Sequence, residues 1–180
     1  MASEITSTTT DKAATWQPLS THDVPAVMHM ANTMHASLPE RAAVFEERIA
    51  LFPRGCLGLF DASNRLCGYL ISHPIRRGQA PALDSLLGEI PGDADQYYVH
   101  DLAIAAGFRG TGFAQRGVSG VLEGVASGYA TSGLISVYGT GAFWARFGFG
   151  EVEEKDEEGG FADKIRGYGE DAVYLERKNG

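Results

Sequence analysis

His100 and the run Arg109-Gly110-Thr111-Gly112-Phe113-Ala114 lie within one short stretch, YYVHDLAIAAGFRGTGFA, residues 97–114. An imidazole titrates nearest neutrality of all side chains and can take a proton from a reacting group. The glycine run sits where an apolar, β-rich segment gives way to a helix-like one. The first N–H groups of a helix have no backbone acceptor, and the dipole end there is positive. Gly110 and Gly112 let the backbone curl so that successive N–H groups converge. Gly112 and Ala114 leave room in front of them, and Arg109 adds a permanent charge. The pattern points to an anion site of phosphate or pyrophosphate type. The alternative is a plain tight turn between strand and helix.

Rival motifs fail on inspection. A dinucleotide fingerprint needs a third glycine that GTGFAQ lacks, and an acidic residue that SGLISVYG does not supply. The G-K-[S/T] of a P-loop is absent. The formal charge of −8 argues against a nucleic-acid partner and is compatible with a cationic substrate. Cys56 and Cys67 have no metal-ligand spacing, so no metal is expected and two buried thiols in a reducing compartment are. The start of the chain, MASEITSTTTDKAAT, has no apolar core of a signal peptide. No apolar run approaches membrane-span length, so no membrane association and a cytoplasmic location are expected.

The elements that must position these residues can be read from periodicity. Residues 1–14 read as a flexible tail and 15–180 as one domain. Trp16, Pro18 and Leu19 open a short strand. A helix follows with Val24, Val27, Met28, Ala31 and Met34 at helical spacing, then a second over about 40–51 that Pro53 ends. GCLGLFD and LCGYLISHPI form a hairpin around Asn64. Residues 76–95 make a long connection, with a short helix expected near LDSLLGEI. QYYVHDLAI is a strand, 112–130 a helix with four glycines explained by close approach to the sheet, GLISVYG a strand and GAFWARFG a short helix. FGEVEEK and DAVYLERK read as a last strand pair around a charged loop over 156–170, and EVEEKDEEGG as solvated. The order predicts an α/β (α+β) fold with a mixed, mostly antiparallel sheet flanked by helices.

Three blocks carry a resemblance to a known family. YVHDLAIAAGFRGTGFA is similar to the central strand and pyrophosphate loop of the GNAT acyltransferase superfamily, GAFWARFGFGEV to its [F]-[Y/W]-x-x-x-G-F block, and WQPLSTHDVPAVMHMA to its opening strand and first helix. The likeness runs from Trp16 to about Lys178. It is nearest the arylalkylamine and polyamine N-acetyltransferase branch, on LPERAAVFEERIALFPRGCLGLF, GYLISHP and the histidine before DLAI.

The resemblance implies acetyl-CoA as cosubstrate, with CoA as product. Residues 109–114 would hold its pyrophosphate. Its peptide-like arm would pair with the strand of Leu102, Ala103 and Ile104, in a gap between that strand and LISVYG where the sheet splays. Phe143 and Phe147 would flank the arm, or simply fill core. The expected reaction is direct attack of a small primary amine on the thioester, with His100 as general base. In the arylalkylamine enzymes two histidines one residue apart serve as a proton path here; the second matches His100, and Tyr98 stands for the first. Tyr98 could orient a water but is a weak base. The superfamily's usual acid is a tyrosine where this chain has Trp144, whose indole cannot supply a proton. The thiolate then leaves unaided, or Tyr138 substitutes, or the protein does not turn over. Met34, His35, Leu38, Glu40 and Phe45 are candidates for the acceptor pocket. Asp101 suits either a substrate ammonium or a backbone cap, and a surface role is expected for His73. Strand alternation predicts Tyr98, His100, Leu102 and Ile104 on one face and Tyr97, Val99, Asp101 and Ala103 on the other, unless a bulge intervenes. Alternatives to the small-amine reading are a protein or peptide N-acetyltransferase and a non-catalytic acyl-CoA sensor. A monomer or homodimer is expected.

Overall fold

The computed structural model describes residues 13–152 and 161–180. Seven strands form one sheet: β1 (Ala14–Pro18), β2 (Cys56–Asp61), β3 (Leu66–Ile75), β4 (Gln96–Ile104), β5 (Thr131–Ser136), β6 (Gly150–Glu151) and β7 (Val173–Lys178). Their spatial order is β1-β2-β3-β4-β5-β7-β6. Among the described residues only the β4–β5 pair is parallel. The mixed, mostly antiparallel architecture is as the sequence predicts. The tail expected over 1–14 lies mostly outside the described residues, but β1 already includes Ala14.

Helices cover both faces. Helices α1 (Val24–Met34) and α2 (Ala42–Leu51) pack Val27, Ala31, Phe45 and Ile49 against Tyr69, Ile71 and Ala103. On the other face, α3 (Phe113–Glu123) and α4 (Gly141–Ala145) bring Val118, Val121 and Trp144 onto Leu70, Tyr97, Val99 and Leu134. Ser20 and Asp23 close the turn before α1, with the Ser20 N–H donating to Asp23 Oδ2 at 2.8 Å. Both stripes follow the 3.6-residue period of the sequence.

Three expected elements differ. The helix predicted over 112–130 stops at Glu123, because Gly124 takes a non-helical backbone there. Of its glycines, Gly117 alone meets the close-approach explanation: a Cβ would lie 2.6 Å from the Trp16 ring, whereas beside Gly120 there is open space. Gly124 and Gly128 lie beyond the helix. The short helix expected near LDSLLGEI is a series of turns. Within the predicted loop 156–170, residues Phe161–Arg166 form a helix, α5, anchored by Phe161 against Tyr174. The EVEEKDEEGG reading falls largely outside the described residues.

The Trp16 contact yields a prediction. The indole N–H donates to the Phe113 carbonyl at 3.0 Å, so the ring is held against Gly117. Alanine favours helix over glycine by about 1 kcal/mol, but overpacking costs about 1–3 kcal/mol. Gly117→Ala is therefore expected to lower stability in urea unfolding; a gain would show that the indole moves aside freely.

Candidate active site

The strand that carries His100 is irregular at that residue. In the β3–β4 ladder Ile71 faces Asp101 and Ser72 faces Val99, so His100 is the extra residue of a bulge. The expected parity is thereby corrected. Tyr97, Val99, Leu102 and Ile104 pack toward α3, while His100, Asp101 and Ala103 turn toward α1 and α2, and Tyr98, beside His100, packs with Ala80, Phe161 and Tyr174. A bulge presents two consecutive polar residues, His100 and Asp101, to one side.

The same point is where the sheet opens. Parallel pairing of β4 with β5 runs only from Gln96–Thr131 to Val99–Leu134. Beyond Val99, β4 keeps β3 on one edge as far as Ile104 and, among the described residues, has no strand on the other. The resulting cleft is lined by His100, Leu102, Leu134, Tyr138, Phe143 and Trp144, among others. At its outer end the chain passes through a tight turn at Ala106–Phe108 into α3. Gly110 and Gly112 hold φ of +74° and +80°, a backbone that side chains other than glycine's rarely adopt. A Cβ on Gly110 would meet nothing within 4 Å, and one on Gly112 only the Arg116 guanidinium at 3.4 Å. The glycines therefore face space, not protein, in front of the α3 N-terminus. Thr111 braces the turn by donating to the Phe108 carbonyl at 2.7 Å. Phe113 is buried beneath it, with Ala114 packed alongside. The Arg109 guanidinium folds back, Nε donating to the Ile104 carbonyl at 2.9 Å and Nη2 reaching the Met34 sulfur.

No protein-family model matches this chain, and no curated protein sequence matches it. Solved structures do. It is similar to Ard1 from Thermoplasma volcanium, at 13% identity and a TM-score of 0.67, over 92% of this chain and 97% of that one. Naa20 of Chaetomium thermophilum in complex with a bisubstrate analogue matches at 15% identity and 0.66, over 91% and 86%. N-acetylglutamate synthase from Neisseria gonorrhoeae, complexed with coenzyme A and N-acetyl-glutamate, matches at 15% and 0.68, over 93% of this chain and 35% of that one. The fold is the GNAT fold. At such identities the likeness is one of architecture.

In this chain a second cavity adjoins the splay on the α1–α2 side. His35, Leu38, Glu40 and Phe45 line it, together with His100 and Asp101. Both cavities share His35, His100, Asp101, Ile135 and Val137, so the two histidines and the aspartate stand at the junction. Met34 is a correction: its side chain packs beside the α1 core and Arg109, away from this cavity. Tyr98 is fully buried behind His100 and lines neither cavity. Phe147 supports Phe143 and Trp144 from behind.

Glu40 emerges as the partner of His100, with Nε2 3.0 Å from Oε2 and both side chains buried. Burial pushes the Glu40 carboxyl up, but the His100 ring, its hydrogen bond, the Asp84 N–H and the Arg48 guanidinium overcome this and hold it at about 2. The carboxylate accepts, so His100 Nε2 carries the proton in the neutral ring. Its Nδ1 keeps the lone pair and has no partner among the described residues. Arg48 is fully buried. The sequence held a signal for it that the reading passed over: position 48 falls on the apolar stripe of Phe45 and Ile49. The expected surface role of His73 is wrong. It is fully buried near Tyr98 and His100, and burial together with His100 and Arg48 keeps it well below the ordinary histidine range. The 76–95 connection is fastened to α2, with Leu87 and Gly88 N–H groups donating to Glu47 and Arg48 donating to the Ser85 carbonyl, and it supplies Leu83 to the cavity wall.

The depressed Glu40 group carries a pH prediction. Its folded value, about 2, lies below its ordinary 4.5. Its stabilisation is thus complete above about pH 4.5 and is lost as pH falls toward about 2. Denaturant unfolding across that window should show a decline that Glu40→Gln flattens; an equal decline in the variant would place the coupling elsewhere.

Proposed function

We propose that this protein is an acetyl-CoA-dependent N-acetyltransferase acting on a primary amine of a small molecule by direct attack. The observation that carries the reading is the coincidence of three features at one place: the splay beside β4, the open glycine turn at its end, and a carboxylate-paired histidine at the junction of two cavities. CoA fits this frame. Its diphosphate suits the N–H groups at the start of α3, with Gly110, Gly112 and Ala114 leaving room. Its amide-bearing arm suits the β4 edge over Leu102, Ala103 and Ile104, which β5 no longer covers and where Arg109 now occupies the Ile104 carbonyl. Phe143 forms part of that wall.

The chemistry asked of the protein is modest. The amine nitrogen must lose protons, the carbonyl carbon gains the C–N bond, and the C–S bond breaks with its electron pair on sulfur. His100 Nδ1 is the general base, with Glu40 fixing the tautomer and stabilising the imidazolium. Trp144 is buried and packs on Phe143 and Phe149, which agrees with a thiolate that leaves without an acid. Tyr138 is the substitute donor; it is half-exposed, lines the splay and shares a 3.1 Å hydrogen bond with Ser37.

A compact cavity with apolar walls at Leu38, Phe45, Leu83 and Ile135 and the acids Glu40 and Asp101 favours a small amine over an extended protein substrate. Incubation with acetyl-CoA and tryptamine, phenylethylamine, spermidine or a peptide, followed by free-thiol release, tests this. Release with an arylalkylamine or polyamine is expected. Release with the peptide alone would make it a protein acetyltransferase, and CoA binding without release a sensor.

A further inference from the structure

The bulge turns His100 and Asp101 to the same side, and each meets a residue of the short α1–α2 connection. The pairs are crossed. On β4 the histidine meets the acid Glu40; one residue on, the acid Asp101 meets His35, with Nε2 3.1 Å from Oδ1. Tyr69 fixes Asp101 by donating to its other oxygen at 2.6 Å. Tyr138 lies flat on the His35 ring, with centroids 5.7 Å apart. Both His35 nitrogens are buried, Nε2 making an ion-pair contact with Asp101 and not an aligned hydrogen bond. The rest of the His35 and Asp101 side chains is more exposed, at 17% and 14%, than His100 and Glu40, at 1% and 8%.

The reaction gives two dyads separate work. An amine reaches the protein as ammonium and must shed two protons before the product is a neutral amide. One proton leaves before the lone pair can attack; the other leaves the same nitrogen once the C–N bond exists. One of the two ends on the departing thiolate or in its place in solvent, the other in solvent. A single imidazole holds one added proton at a time and cannot take the second before it has released the first. We propose that His35, paired with Asp101, is a second catalytic base that takes the first proton from the incoming ammonium and holds it as an imidazolium beside that carboxylate until the product leaves, so that His100 is free for the second. The inference rests on the acyltransferase reading of the cleft. The groups facing His35 are Asp101 and His100 of β4, Tyr69 of β3, Glu40 of its own connection, Arg109 beyond β4 and Tyr138 beyond β5. Burial lowers its proton affinity, and Asp101 with Glu40 more than restores it against Arg109.

The test is the pH dependence of kcat/KM, by thiol release, for the starting protein, His35→Gln and Asp101→Asn. A base that deprotonates the ammonium becomes dispensable once the amine is free in solution. Both variants are therefore expected to lose about tenfold or more near neutrality, and the loss should shrink as pH rises toward the amine's own pKa. Acetyl-CoA affinity should stay unchanged. A histidine that merely stacks on Tyr138 would give a loss constant with pH, or none, and either result overturns the inference. Imidazole NMR of the free protein adds a readout without turnover: the His35 midpoint should fall in Asp101→Asn, and an unmoved midpoint removes the dyad. If the starting protein releases no thiol with any amine, the acyltransferase reading itself falls, and this inference with it; turnover with a pH-independent loss sinks the inference alone.

Discussion

Replacing His100 by alanine is expected to lower kcat/KM by about 100-fold or more, within the range typical of a lost general base. Acetyl-CoA affinity should hardly change, because the diphosphate turn and the β4 edge are untouched. The variant has a second, separable effect. His100 and Glu40 are 1% and 8% exposed, so removing the imidazole leaves a carboxylate buried without its partner. Losing a hydrogen bond to a buried charged group costs about 1.5–3 kcal/mol, and the variant should unfold at lower denaturant concentration. Adding Glu40→Gln removes the stranded charge. The double variant is expected to regain stability and remain slow. Recovery of rate along with stability would mean that His100 serves the fold and not the reaction.

The second large effect concerns the turn. Gly112 sits at φ +80° with only the Arg116 guanidinium near a would-be Cβ. A bulky side chain there projects into the space assigned to the diphosphate. It also strains the backbone, by about 1–3 kcal/mol for residues averse to positive φ. Asparagine separates the two, since it tolerates the left-handed region. Gly112→Leu and Gly112→Asn are both expected to abolish measurable CoA binding in calorimetric titration. Only the leucine variant should be notably less stable. Retained affinity in Gly112→Asn would show that the turn is structural and that the anion lies elsewhere.

Much of the frame was legible because it follows from period and punctuation. The seven strands, α1, α2 and the strand-turn-helix at 109–114 are written in alternation, helical spacing and glycine placement. The cleft was legible through the family resemblance, and the structure has the splay between β4 and β5 where that resemblance implies it. What escaped reading was set by tertiary packing. Strand alternation could not say that His100 is the bulged residue, and the parity of Leu102 and Asp101 turned on that. Glu40 lies 60 residues from His100, and His35 is further still from Asp101, so nothing local pairs them. His73 looked like a strand-end surface residue, yet the 76–95 connection and α2 close over that end of the sheet. The α3 glycines misled because four of them share one composition signal and have unlike surroundings: one abuts Trp16, one faces open space and two lie outside the helix.

The most direct test is a crystal structure of the protein grown with CoA. The account predicts the diphosphate against the N–H groups of residues 110–114, the amide-bearing arm along the free edge of β4, and the sulfur at the cavity junction beside His100. Coenzyme bound on another face, or a sulfur pointing away from His35, His100 and Asp101, would contradict it.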